Sequence, residues 1–179
     1  VMLALGWAAW KTYLGRDELD GYRRHVMGAL GDALSSSRPK EALSVLEANL
    51  ALTRRFWSQD EDLILSAQAN VANCLTVPGL RDKARQDEAL VLRRGIYARR
   101  LAVNGASHVD AIGSGCNVAC SLIIMKRFGE SRRLLRDLLV RSRQSLGSDH
   151  DFTLNIVHSL VETLTLNPER TRDDLRLHQ

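Results

Sequence analysis

Two cysteines and a histidine have the most obvious potential for chemistry in this sequence. Cys116 and Cys120 are four residues apart and would share one face of a helix, where His158 could approach them as a further metal ligand. Structural zinc, however, commonly uses four ligands, with two-residue spacing between its cysteines. Small cysteines packed in a helical core explain the pair better, so we predict no metal site and no other cofactor.

Two histidine–aspartate pairs form a second candidate site. His108 is followed by Asp110 and His150 by Asp151, and such pairs could serve general-base catalysis. The pattern recurs at the same turn of two segments, whereas catalysis needs one site. We therefore interpret both histidines as structural caps.

The segment 113–116, Gly-Ser-Gly-Cys, has only a superficial likeness to the turn that presents the nucleophile in hydrolases. It lacks the preceding strand and the Gly-x-Ser-x-Gly spacing of that turn. A glycine-rich phosphate loop with a lysine is missing as well. The sequence therefore predicts no enzyme activity within this chain.

Composition indicates the cellular setting. The chain has 179 residues, a net charge of +4 and three cysteines, an odd number without a disulfide-like framework. This favours a reducing, cytoplasmic environment. The apolar residues 1–10 are too few to span a bilayer, and no basic segment precedes them as in a signal peptide. Because the first residue is valine, we expect the chain to be an internal part of a larger protein.

Internal repetition is the strongest indicator of the fold class. Residues 88–129 match residues 130–171 without a gap, at a distance of 42 positions. The matched pairs include Leu92–Leu134, Ile96–Leu138, Gly105–Gly147, His108–His150 and Leu122–Leu164. An earlier unit matches at a distance of 47, through Ala42–Ala89, Asn70–Asn117, Ala72–Ala119 and Leu75–Leu122. The extra residues must fall between Leu75 and Ala89, where Pro78-Gly79 indicates a longer loop.

The spacing of apolar residues within each unit is helical, in steps of three and four. We predict nine helices, near 1–14, 18–35, 39–57, 61–76, 84–103, 108–126, 129–145, 150–166 and 169–179. Pro39 suits a first helical turn, and Asp60 and Asp149 can cap the helices that follow them. Ala72 and Ala119 are expected where two helices approach closely. Because no helix pair could bury its apolar face alone, we expect stacked pairs in an α-solenoid rather than a plain helical bundle.

The repeat resembles the 42-residue tetratricopeptide (TPR) repeats of kinesin light chains. Those repeats have a Leu-Gly-x-Asp-His-Pro-like turn after the second helix, followed by an Asn-x-Leu-Ala-like segment on the next helix. The corresponding segments are Leu-Gly-Ser-Asp-His-Asp at 146–151, Asn-Gly-Ala-Ser-His at 104–108, Asn-Val-Ala-Asn at 70–73 and Asn-Val-Ala-Cys at 117–120. The proline after His is missing in every copy, and Ser159 replaces the expected Asn in the last unit.

The resemblance implies an all-α fold, a right-handed superhelical α-solenoid of antiparallel helix pairs. It implies a single solenoid over 1–179, part of a longer array. The partial helix is at 1–14, and the repeats are at about 18–57, 61–103, 108–145 and 150–179.

The resemblance also implies a binding site, because the first helix of each pair in that family lines a concave groove that holds peptides or helices. The residues one before and three after the Asn position contact the partner. Those positions are Met27 and Gly31, Ala69 and Asn73, Cys116 and Cys120, and His158 and Glu162, with Asn70 and Asn117 beside them. An Asn carboxamide has both a donor and an acceptor, so Asn70 and Asn117 either clamp a peptide backbone or bond to a neighbouring helix or loop.

The function implied is a non-catalytic protein–protein interaction scaffold or adaptor, and a regulatory segment of a larger enzyme or signalling protein is an alternative. Self-association through the cut ends stays open. Arginines concentrate on the predicted second helices: Arg54, Arg55, Arg93, Arg94, Arg99, Arg100, Arg132, Arg133, Arg136, Arg141 and Arg143. We interpret them as a solvated convex face, and a ridge binding RNA or another anionic surface is the alternative. Aromatic residues that could stack on bases are not interleaved with them, so nucleic acid is not the expected partner.

Overall fold

The computed structural model describes residues 7–8, 11–12, 17, 20–80 and 82–166. It contains seven long helices in those ranges and no strand there. They are α1 (Gly21–Leu34), α2 (Pro39–Phe56), α3 (Glu61–Cys74), α4 (Lys83–Asn104), α5 (Val109–Ile124), α6 (Phe128–Ser145) and α7 (Asp151–Leu166). The predicted helix at 169–179, and most of the one at 1–14, lie outside the described residues.

The helix boundaries reproduce the repeat register of the sequence. Helix α7 begins 42 residues after α5, since Asp151 corresponds to Val109. Residues 125–127 suffice to connect α5 to α6, whereas residues 75–82 connect α3 to α4. The longer connection therefore lies where the sequence places its insertion.

Side-chain caps define where several helices begin. The Asp60 carboxylate accepts a hydrogen bond from the Leu63 N–H at 3.1 Å. The Nδ1 atoms of His108 and His150 accept from the backbone N–H two residues ahead, each at 3.2 Å. The predicted histidine caps are thus confirmed. The predicted cap at Asp149 is wrong, because α7 begins at Asp151 and the residue directly before it is His150.

The chain forms two compact units, one ending at Leu92 and the other starting at Arg93, so the boundary lies within α4. In the first, α1 packs on α2 and α3, and the core includes Leu30, Leu34, Leu46, Val71 and Leu75. In the second, α5 packs on α6 and α7, around Ile112, Ala119, Leu135, Leu138 and Ile156. Ala72 and Ala119 are fully buried, as expected for positions of close helix approach. The division of 1–179 into the repeats above stays a prediction.

Candidate partner-binding site

A cavity of about 300 Å³ lies between the facing helices α5 and α7. Its lining residues are Gly113, Cys116, Asn117, Cys120, Phe152, Asn155, His158 and Ser159. The structure therefore brings together four of the residues that the sequence placed in a groove: Cys116, Asn117, Cys120 and His158.

Two glycines of α5 determine how closely the neighbouring helices approach. A β-carbon on Gly113 would lie 2.9 Å from Cζ of Phe152, and one on Gly115 would lie 2.8 Å from Cδ2 of Leu138. Between them, the Ser114 hydroxyl donates to the Asp110 carbonyl of its own helix at 2.6 Å. The Gly-Ser-Gly segment is thus a packing motif, and its hydroxyl is engaged in the helix backbone.

The Phe152 ring, which lines the cavity, contacts the residue that caps α7. The His150 ring stacks on Phe152, with 5.7 Å between ring centroids and 22° between planes. Because His150 also accepts the Phe152 N–H, the start of α7 and the position of the ring are coupled.

Both thiols of the cavity are poorly suited to nucleophilic chemistry. Burial raises the pKa of Cys116 to about 12, and the neighbouring Cys120 thiol adds to the rise. Desolvation also raises the pKa of Cys120, where Arg93 opposes the rise and Glu162 adds to it. The thiolate is the reactive form, so neutral pH leaves both groups largely protonated. Among the described residues, no group of three or more His, Cys, Asp and Glu could hold a metal ion.

The rim of the cavity has two carboxamides on facing helices. Asn117 on α5 and Asn155 on α7 are both exposed, and neither side chain forms a hydrogen bond within the described part of the chain. The sequence left two roles open for Asn117, and one of them, a hydrogen bond to a neighbouring helix or loop, is not observed among the described residues. Its donor and acceptor are available to a partner.

Two solved structures share this arrangement of helices. One is a putative kinesin light chain of Podosopora anserina with nearly identical TPR-like repeats, at a TM-score of 0.76 and 19% identity, covering 98% of this chain and 82% of that one. The other is a variant of the same protein, at a TM-score of 0.77 and 19% identity, covering 99% and 82%. The chain has the TPR-like repeat fold. The expected all-α solenoid of TPR-like repeats is confirmed.

No protein-family model matches the sequence, and no curated protein is significantly similar to it. At 19% identity, the likeness to the two TPR-like structures shows the fold alone.

The groove positions of the first compact unit differ in accessibility. Met27 is only 4% exposed and lies in the core, whereas Ala69 and Asn70 are half-buried and Asn73 is exposed. Gly31 is buried so tightly against Leu46 that a β-carbon would overlap that side chain. The expected partner contact at Gly31 is therefore replaced by packing between α1 and α2.

The last predicted groove position of the second unit lies on α7. Glu162 is exposed and near enough to Cys120 to affect its pKa, but it does not line the cavity. Phe152 and Asn155 were not anticipated from the sequence. Asn155 is three residues before His158, which the sequence did predict, so the two share a helix face. This spacing is the sequence signal from which Asn155 could have been predicted.

The arginine-rich surface is less uniform than the sequence indicates. Arg93 is 8% exposed and donates to the Ser121 hydroxyl at 2.6 Å, and Arg132 is 2% exposed and donates to the Thr163 carbonyl at 3.4 Å. These two arginines bond to a neighbouring first helix, so their assignment to a solvated face is wrong. Other arginines of this set form ion pairs, among them Arg94 with Glu130, Arg100 with Asp110, and Arg141 with Asp137. None of the described helices is both long and apolar enough for a membrane span.

Proposed function

We propose that this chain is a non-catalytic interaction scaffold or adaptor that binds an extended peptide segment of a partner protein across α5 and α7. The observation that carries the proposal is the pair of exposed carboxamides, Asn117 and Asn155, on facing helices at the rim of the cavity. Each can donate to a peptide carbonyl and accept from a peptide N–H. An extended segment has both groups available, whereas a helix uses them internally.

The cavity below the rim supports the same occupant. Phe152 and Cys116 offer an aromatic ring and a neutral thiol, which favour an apolar side chain. A partner would therefore be held by its backbone at the rim and by one apolar anchor in the cavity. For such a short contact we expect micromolar affinity, about −8 kcal/mol.

The charges around the cavity favour recognition by shape over recognition by charge. His158 and Ser159 are among its lining residues, and the exposed Glu162 is one helical turn beyond His158. Lysine and arginine are absent from the described residues that line the cavity, which differs from a site for a phosphate or a carboxylate terminus. We therefore expect the affinity to depend little on salt.

Selection of random peptides by display on the immobilised chain tests the proposal. A selected peptide should lose about fivefold in affinity with Asn117→Ala or Asn155→Ala, because each change removes a hydrogen-bonding group of about 1 kcal/mol. Gln144→Ala is the matched control, since Gln144 is an exposed carboxamide on α6 outside the cavity. Peptides that bind wild type and both cavity variants equally would refute the proposed site.

A further inference from the structure

In the first unit, a polar side chain occupies a buried position where the other second helices have apolar ones. Asn49 of α2 is 3% exposed. In the repeat register its position corresponds to Ile96 of α4 and Leu138 of α6, both buried. The Oδ1 atom of Asn49 is shielded from solvent and has no hydrogen-bond partner among the described residues. An unpaired buried acceptor costs stability, so packing alone does not explain an asparagine here.

Next to this carboxamide lies a residue of α1 that has no side chain, Gly28. Gly28 occupies the register position of Asn70 and Asn117 and is the one of the three without a carboxamide. A β-carbon on Gly28 would lie 3.6 Å from Nδ2 of Asn49 and 3.8 Å from Nδ2 of Asn70. We call this β-carbon position the Gly28 niche: it lies within 4 Å of two amide nitrogens, one from α2 and one from α3.

We propose that Asn49 supplies the carboxamide that Gly28 lacks, and that Asn49 and Asn70 together bind one backbone carbonyl oxygen of a partner over Gly28. Two NH₂ groups within 4 Å of one point suit an acceptor atom there, while the Oδ1 atom of Asn49 keeps its buried position without a partner. Both donors are neutral, which favours a peptide carbonyl over a carboxylate or phosphate. The inference rests on the proposed binding of an extended peptide and adds a contact point in the first unit.

A methyl group fits at the Gly28 niche without strain. The distances of 3.6 and 3.8 Å are ordinary van der Waals contacts, so Gly28→Ala should fold normally and fill the niche with a methyl group. Gly21→Ala is the matched control, because the same substitution in the same helix meets no described atom within 4 Å. Gly21 is the first residue of α1 and Gly28 lies in its middle, so the two variants are compared by their response to a ligand and not by their stability.

Nuclear magnetic resonance with N-methylacetamide, a mimic of the peptide bond, tests the proposal on the full chain. The side-chain NH₂ signals of Asn49 and Asn70 should shift in a saturable way with N-methylacetamide and much less with tert-butanol, which has a similar size but whose hydroxyl oxygen is a weaker acceptor than an amide carbonyl. Gly28→Ala should weaken this response at least about fivefold, and Gly21→Ala should leave it unchanged. Absence of a saturable shift, or an equal response in Gly28→Ala, would show that the niche holds only water and overturn the proposal.

Asn49→Leu separates binding from a structural role. It introduces the side chain that α6 has at this position, so the melting temperature should stay equal or rise while the response of Asn70 is lost. A lower melting temperature with an unchanged Asn70 response would assign Asn49 to structure instead. Since the probe needs no selected peptide and the variants lie outside the α5–α7 cavity, a failure of this proposal can be distinguished from a failure of the proposed function.

Discussion

The Phe152 ring lies against the bare backbone of Gly113, so that Cζ is 2.9 Å from where a β-carbon of that glycine would be. This contact joins the first turn of α7 to α5 and forms one wall of the cavity. The cavity therefore depends on the absence of a side chain at Gly113 as much as on the side chains around it.

Replacing that glycine should displace the ring. Gly113→Ala puts a methyl group inside the contact distance of Phe152, and overpacking of this kind costs about 1–3 kcal/mol. Gly95→Ala is the control, since no described atom lies within 4 Å of its added carbon and it should gain about 1 kcal/mol from helix propensity. Urea denaturation of both variants measures the difference. Equal stabilisation of the two would mean that the Phe152 contact is loose.

Removal of a histidine cap should destabilise α5. His108→Ala removes the acceptor of the Asp110 N–H and should cost about 1 kcal/mol of unfolding free energy. His108→Asn should restore most of the loss, because asparagine can accept the same N–H. Denaturation midpoints measure both effects. If the asparagine variant is as unstable as the alanine variant, the imidazole contributes something other than a cap.

A bulky residue at the close approach of α5 and α6 should separate the two helices. Ala119 is fully buried, and its carbonyl accepts from the Ser131 hydroxyl of α6 at 3.2 Å. Ala119→Trp should lower the unfolding free energy by about 1–3 kcal/mol or more. Ala98→Trp, at an exposed position of α4, is the control. An unchanged melting temperature for Ala119→Trp would contradict the packing described for this pair.

The reactivity of the Cys116 thiol should depend on pH in a range above that of an ordinary thiol. Its pKa of about 12 lies above the ordinary thiol value of 9.0, so the folded state retains the proton more tightly than the unfolded state. Stability should therefore fall as pH rises from the ordinary value towards about 12, and be unaffected by this group at neutral pH. Alkylation by iodoacetamide, followed by mass spectrometry, should be slow in the native chain and still increase above pH 9. A rate that levels off near pH 9 would contradict the raised pKa.

The sequence by itself determined the features that depend on residues close together along the chain. The 42-residue register, the approximate helix ranges and the caps at Asp60, His108 and His150 follow from apolar spacing and from contacts two or three residues ahead. A helix cap needs only its own first turn, so its prediction requires no knowledge of neighbouring helices. The adjacent Asp149 and His150 show the limit, since a one-residue difference in the helix start decides which of them caps.

Only the tertiary structure decided which side of each helix meets a neighbour, because that depends on residues far apart in sequence. Gly31 matched a partner-contact position but packs against Leu46, and Arg93 looked like a surface residue but donates to Ser121. The cavity between α5 and α7 required the position of Phe152 relative to Gly113, 39 residues before it in the sequence. The repeat therefore predicts the scaffold, whereas the approach of its helices determines which side chains remain available to a partner.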